Sequence, residues 1–164
     1  MNLTWDFQEV FDFGDQLKSF SSAFNPHLQN AAKEIAEKLH KMLIQNTPVD
    51  FGTLQAFWQT EENYSYVVEG KRNGYEVTLY NRAAYATWVN DGHKQRPGRF
   101  IPGYWEGRHF RYDPTCSDGM VLKNSWVKGR FFVEISITQL ESSTQVENIV
   151  YKHLQKWWKE CFKG

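Results

Sequence analysis

The sequence predicts an α+β fold: a long amphipathic helix packed on an antiparallel sheet, with a long loop or hairpin insertion and a C-terminal helix. Three patterns carry that expectation. Leu28, Ala32, Ile35, Leu39, Met42 and Leu43 recur at helical spacing, residues 65–69 and 75–80 alternate as strands do, and Val146, Ile149, Val150, Leu154, Trp157 and Cys161 share one helical face. With 164 residues, 41% of them hydrophobic, the chain suits a single domain spanning 1–164. An N-terminal arm or helix (1–24) is expected to precede a core (25–141) with an extended loop at 92–129, and a C-terminal helix (142–164) to follow.

Taken in order, the aromatics of 3–24 fit a helix only from about Gly14, so the first dozen residues read as a loosely held arm. Asn25-Pro26 marks a helix start, because Asn caps well and Pro is welcome in the first turn. That helix carries Glu34/Lys38 and Glu37/Lys41 on its outer side and stops at Thr47-Pro48, since a residue before proline avoids helical angles. The strands at 65–69 and 75–80 are joined by Gly70-Lys71-Arg72-Asn73-Gly74, whose Asn-Gly pair signals a tight turn. Residues 55–60 are expected as a third strand and 83–89 as a short helical turn. The stretch 92–129 has no helical period and recurrent Pro and Gly, which marks a functional or mobile segment. Within it, 108–112 and 120–124 alternate as a second hairpin with its tip at 114–118. Residues 130–140 read both as strand and as helix, with helix favoured. Ser142 and Gln145 have capping-box spacing ahead of the last helix.

Composition excludes several classes of function. Nineteen Lys and Arg balance nineteen Asp and Glu, so no overall field draws the chain to DNA or to an anionic membrane, and any nucleic-acid contact must come from a local patch. Apolar runs stop far short of the roughly 20 residues that span a bilayer. Residues 1–9 lack the basic-then-apolar pattern of a signal peptide, so a protein made and kept in a cytoplasm, with no membrane partner, is expected. Cys116 and Cys161 are expected as free thiols.

Catalytic chemistry finds little support. His27, His40, His93, His109 and His153 are scattered without metal-site spacing. Cys116 with His109 and Asp113 or Asp118 could form a thiol nucleophile and its base, but a Pro/Ser/Gly tip offers no rigid wall to hold it at attack distance. Glu61-Glu62 reads as solvated loop charge, and no phosphate-cradling glycine pattern precedes a helix. The expectation is a protein that is not an enzyme and uses no cofactor.

Surfaces remain. Aromatics make up 16% of the chain, and 92–130 carries Lys94, Arg96, Arg99, Arg108, Arg111, Lys123, Lys128 and Arg130 interleaved with Phe100, Tyr104, Trp105, Phe110, Tyr112 and Trp126. Rings among cations suit bases of single-stranded nucleic acid, and they equally suit a protein interface anchored by Arg and Trp. A solvated loop is the third reading. Arg96, Arg99, Phe100, Tyr104, Trp105, Arg108, Phe110, Arg111 and Tyr112 are the interface or DNA-channel candidates.

Thr47-Pro48-Val49-Asp50-Phe51-Gly52-Thr53-Leu54, directly after a helix, resembles the TPVDTGTL signature of the phage tail-component family of gene product ten of the HK-type lambdoid phages, with Phe51 in place of Thr. Residues 85–93, YATWVNDGH, are similar to that family's Y-A-x-x-V-E-x-G-H stretch, with Asn90 in place of Glu. Residues 97–103, PGRFIPG, followed by WVKGRF at 126–131, make a third match. The resemblance implies a helix across an antiparallel sheet and a part in joining head to tail or completing the tail. It further implies a homo-oligomeric ring, of sixfold symmetry, around a DNA channel, among other neck and tail proteins and in non-specific contact with the genome. The TPVDFGTL segment also has its own physical reading as a corner: Pro48 ends the helix, Asp50 accepts backbone N–H groups, Gly52 takes a positive φ, and Leu54 starts a strand.

Overall fold

The computed structural model describes residues 2–6, 24–49, 52–58, 66–71 and 74–161. In chain order these form β1 (Asn2–Asp6), α1 (Asn25–Asn46), α2 (Thr53–Ala56), β2 (Tyr66–Lys71), β3 (Gly74–Tyr80), α3 (Ala86–Asp91), β4 (Gly92–Lys94), β5 (Phe100–Glu106), β6 (His109–Tyr112), β7 (Gly119–Val121), β8 (Trp126–Lys128), α4 (Phe132–Glu141) and α5 (Gln145–Cys161). The fold is α+β with antiparallel sheets, as the periodicities predict.

Helix α1 lies at the centre. Its buried face includes Leu28, Ala31, Ala32, Ile35, Ala36, Leu39 and Leu43, wider than one stripe because β2 and β3 pack on one side and α4 and α5 on the other. The alanines at 31, 32 and 36 keep the surface low enough for close approach. Val77 and Leu79, alternate residues of β3, are fully buried, as are Phe132 and Leu140 of α4, and Trp157 of α5 nearly so. Burial of each such side chain contributes about 1.5–3 kcal/mol.

Several local expectations need correction. Residues 2–6 are not a loose arm but the edge strand β1, paired with β3 from Asn2↔Tyr80 to Asp6↔Glu76. The third strand described is β1; of residues 55–60, expected as that strand, 55–58 lie in the helical turn α2 and the turn after it, and 59 and 60 lie outside the described residues. Helix α1 begins at Asn25, one residue earlier than the cap assigned to it. Phe24 is the boundary residue: its ring meets Trp157 edge-on at 4.9 Å, and its carbonyl accepts the His27 and Leu28 N–H groups. Ser142 does not open a capping box. It closes α4, while Ser143 Oγ donates to the Leu140 carbonyl at 2.7 Å and the Thr144 carbonyl takes the Asn148 N–H. Residues 130–140 are helical from Phe132, the favoured of the two readings. The helix proposed from Gly14 onward, Asp50, Phe51, Glu61 and Glu62 lie outside the described residues.

The corner after α1 is stitched by side chains. Thr47 is extended (φ −65°, ψ 124°), as a residue before Pro48 should be. Its hydroxyl donates to the Leu43 carbonyl at 2.6 Å and accepts the indole N–H of fully buried Trp58 at 2.9 Å. Gln55 Nε2 donates to the Ile44 carbonyl, and Asn81 Nδ2 to the Leu54 carbonyl, each at 2.9 Å. Leu54 is buried at 6% exposure but sits in α2, so it does not start a strand. Gly52 does take a positive φ, +76°, and a Cβ there would meet no atom within 4 Å. Backbone strain alone should therefore make Gly52→Val cost upwards of about 1–2 kcal/mol, with Gly52→Asn milder. Equal urea midpoints for wild type and Gly52→Val would refute this.

Helix α5 is pinned to α1 by charge as well as packing. Glu34 accepts from Lys152 Nζ at 2.6 Å and lies 2.9 Å from His153 Nε2. The Lys152 hydrogen bond, opposed by partial desolvation and helped by His153, holds the Glu34 carboxyl below the ordinary carboxylate value of 4.5. A carboxylate depressed in the folded state stabilises it above the unfolded value, and that contribution is lost as pH falls through the folded one. Both partners are exposed, so the contribution is below about 1 kcal/mol. Glu34→Gln should be slightly less stable than wild type at neutral pH, and the difference should shrink in acid; denaturant titrations at two pH values measure it.

Candidate functional site

The stretch 92–129, expected as an extended loop, is a β-built arm. It leaves the body at Gly92 and returns at Gly129, with β4 and β8 as its root: Gly92 faces Lys128 and Lys94 faces Trp126. Further out, the Gln95 N–H donates to the Ser125 carbonyl at 3.0 Å and the Gly98 N–H to the Leu122 carbonyl at 2.8 Å. β5 then pairs with two strands in turn, Phe100–Pro102 with β7 and Gly103–Glu106 with β6. This overturns the hairpin drawn between 108–112 and 120–124: each segment supplies a strand, but both pair with β5 and not with one another. The seven residues of β5 alone extend about 20 Å.

The turn beyond β6 is fixed locally. The Asp113 carboxylate accepts both the backbone N–H (2.9 Å) and the hydroxyl (2.7 Å) of Thr115, which lowers its pKa, and Cys116 is half-buried with its N–H on the Asp113 carbonyl. Asp113 is thus engaged in shaping the turn.

At the root, chain crosses chain at glycines. A Cβ on Gly92 would strike the backbone of 127–129, and one on Gly129 would strike the backbone of 90–92. Between them Asn90, fully buried, joins the arm to α4. Its carbonyl accepts the Phe131 N–H at 2.9 Å, and its Oδ1 accepts the Val133 N–H at 3.0 Å. Its Nδ2 donates to Asp91 Oδ1 at 2.6 Å and to both Glu134 oxygens at 3.0 and 3.1 Å. Helix α4 has no side-chain cap of its own at Phe131, which is in the left-handed region at φ 51°, so Asn90 caps it from another element. In the sequence Asn90 stands out only as a departure from a motif; the buried cap has no local sequence signature.

The structure brings the predicted interface residues together on this arm and leaves most of them in solvent. Phe100, Tyr104, Trp105 and Tyr112 are all at least half exposed, and Arg96, Arg99 and Arg108 are exposed as well. The β5/β6 register puts Trp105 opposite Phe110 and Gly103 opposite Tyr112 on one face, with Tyr104 opposite Arg111 on the other. The Trp105 and Phe110 rings pack edge to face at 5.3 Å, and Arg111 Nε lies 2.8 Å from Glu106 Oε2. The corner residues Pro48, Gly52 and Leu54 sit apart, under the C-terminus of α1. Among the described residues no group of three His, Cys, Asp or Glu side chains comes together as a metal site requires, and no helix is long and apolar enough to cross a membrane.

A folded body that holds a basic, aromatic arm away from itself has the form of an assembly component. Residues 11–92 match the family model of the bacteriophage HK97-gp10 tail component. Over 144 residues the chain is 26% identical to the phage-like element PBSX protein XkdI of Bacillus subtilis (strain 168), covering 86% of this chain and 87% of that protein. It is 30% identical over 146 residues to the uncharacterized protein YqbI of the same organism, covering 82% and 83%. No solved structure matches it significantly. The class is that of structural phage proteins, and the chain belongs to the HK97-gp10-like tail-component family. The family match ends at Gly92, where the arm begins.

Proposed function

We propose that this protein is a head-tail joining or tail completion component of a tailed phage, without enzymatic activity, located at the neck or upper tail of the virion. It forms a homo-oligomeric ring, six subunits by the family resemblance, around the DNA channel and contacts neighbouring neck and tail proteins. The observation that carries this reading is the arm: large aromatics held in solvent on a paired, rigid scaffold need a protein surface to cover them. Native mass spectrometry of the protein recovered from particles, with imaging of particles bearing a labelled copy, tests it. A ring mass and a label at the head-tail joint are expected; a monomer, or a label elsewhere on the particle, overturns it.

The second reading, a nucleic-acid-binding module, draws on the same arm. Eight cations against three anions lie between residues 92 and 130, but Arg111 is engaged by Glu106, which lowers the charge on offer. Isolated protein should bind short DNA weakly and release it at moderate salt, consistent with passive contact in a channel. Tight binding with a steep salt slope, reduced in Arg108→Ala and Arg111→Ala, would favour the module.

A further inference from the structure

We infer that the arm of one copy docks on the outer face of α4 of the next copy; this rests on the ring reading and names the surfaces that make it. The donor is the tip face bearing Trp105 and Tyr112, 59% and 67% exposed. The acceptor is the side of α4 turned away from α1. There Phe131 and Ile135, one helical turn apart, are 43% and 44% exposed, while Phe132, Val133, Ser136 and Leu140 face inward.

Charge selects this occupant. From 131 to 151 the chain has three glutamates and no Lys or Arg, and Glu134 and Glu141 of α4 are exposed. The arm, residues 92–129, has the opposite balance, seven cations to three anions, and the rest of the chain is correspondingly acidic, twelve cations to sixteen anions. A basic aromatic donor thus meets an acidic apolar acceptor, each supplying what the other lacks. The arm's own copy leaves Phe131 and Ile135 exposed, and its principal packing against the body is at the root, where α3 meets β4. Because donor and acceptor are different surfaces, the contact is head-to-tail and repeats from copy to copy until a ring closes.

A photoreactive benzoylphenylalanine in place of Trp105, irradiated in the full chain at high concentration and in assembled particles, tests this. The expected product has twice the chain mass, with the cross-link within residues 131–141 of the second copy. In parallel, Ile135→Lys should weaken self-association at least tenfold by sedimentation while leaving the melting temperature near wild type. A double-mass product cross-linked elsewhere overturns the inference and leaves the ring reading standing. A cross-link within one copy, no cross-link, or undiminished association of Ile135→Lys also overturns it. Cross-links only to another phage protein, with this chain monomeric in particles, overturn both.

Discussion

With residues 95–124 replaced by a short Gly/Ser linker, the helices and the β1–β2–β3 sheet should stay folded while incorporation into phage particles is lost. Lys94 and Trp126 face one another across the β4–β8 ladder, so a linker of a few residues can close the root as an ordinary hairpin. The excised part packs mainly on itself, and the core built on α1 contains none of it. Helical circular dichroism and melting temperature should therefore change little. Cells infected with phage carrying only this variant should accumulate heads and tails that fail to join, or incomplete tails, visible by electron microscopy, with infectious titre reduced by orders of magnitude. Normal titre would refute the assembly role of the arm, and global unfolding would make the segment part of the core.

The second large effect is at Asn90. Asn90→Ala removes the cap on α4 and leaves the buried Val133 N–H without its acceptor. The cap and the Val133 hydrogen bond are one interaction, and leaving that buried donor unsatisfied costs about 1–3 kcal/mol, so a loss of that size is expected by denaturant unfolding. Asn90→Asp tells the parts of this role apart. It keeps the acceptor for Val133 but turns the donor side into an acceptor facing Asp91 and Glu134, three carboxylates where an amide had bridged two. It should be as damaging at neutral pH as the alanine variant. A wild-type unfolding midpoint for Asn90→Asp would show that capping alone matters.

What could be read from the sequence was what is encoded locally. α1 was legible because its apolar positions repeat at 3.6 and Pro48 stops it; β2 and β3 were legible because their residues alternate along the sequence. The arm's residues were identified by composition, but its pairing was not. β5 contains Pro102, which donates no hydrogen bond, and its sequence is broken by Gly103, so it lacks the marks of a central strand although it lies between two partners. The strands at 109–112 and 119–121 show the right alternation, but alternation says nothing about which neighbour they choose. Trp58 read as a strand residue because its flanks alternate; in the structure its indole reaches back to Thr47, a tertiary hydrogen bond that outweighs local preference. Asn90 was invisible as a cap because the helix it caps begins more than forty residues away.

The pairing of β1 with β3 bears on the order in which the fold comes together. β2 and β3 are neighbours along the chain and can meet quickly, whereas β1 must wait until residues seventy or more positions downstream exist and have folded. Closing so long a loop is slow compared with hairpin formation, so the sheet should be completed late, after α1 has found the β2–β3 face. Until then the free edge of β3 is open to any extended strand, including the β1 of another chain. In a cell filling with many copies of this chain, the hazard during synthesis is therefore exchange of this first strand between nascent chains.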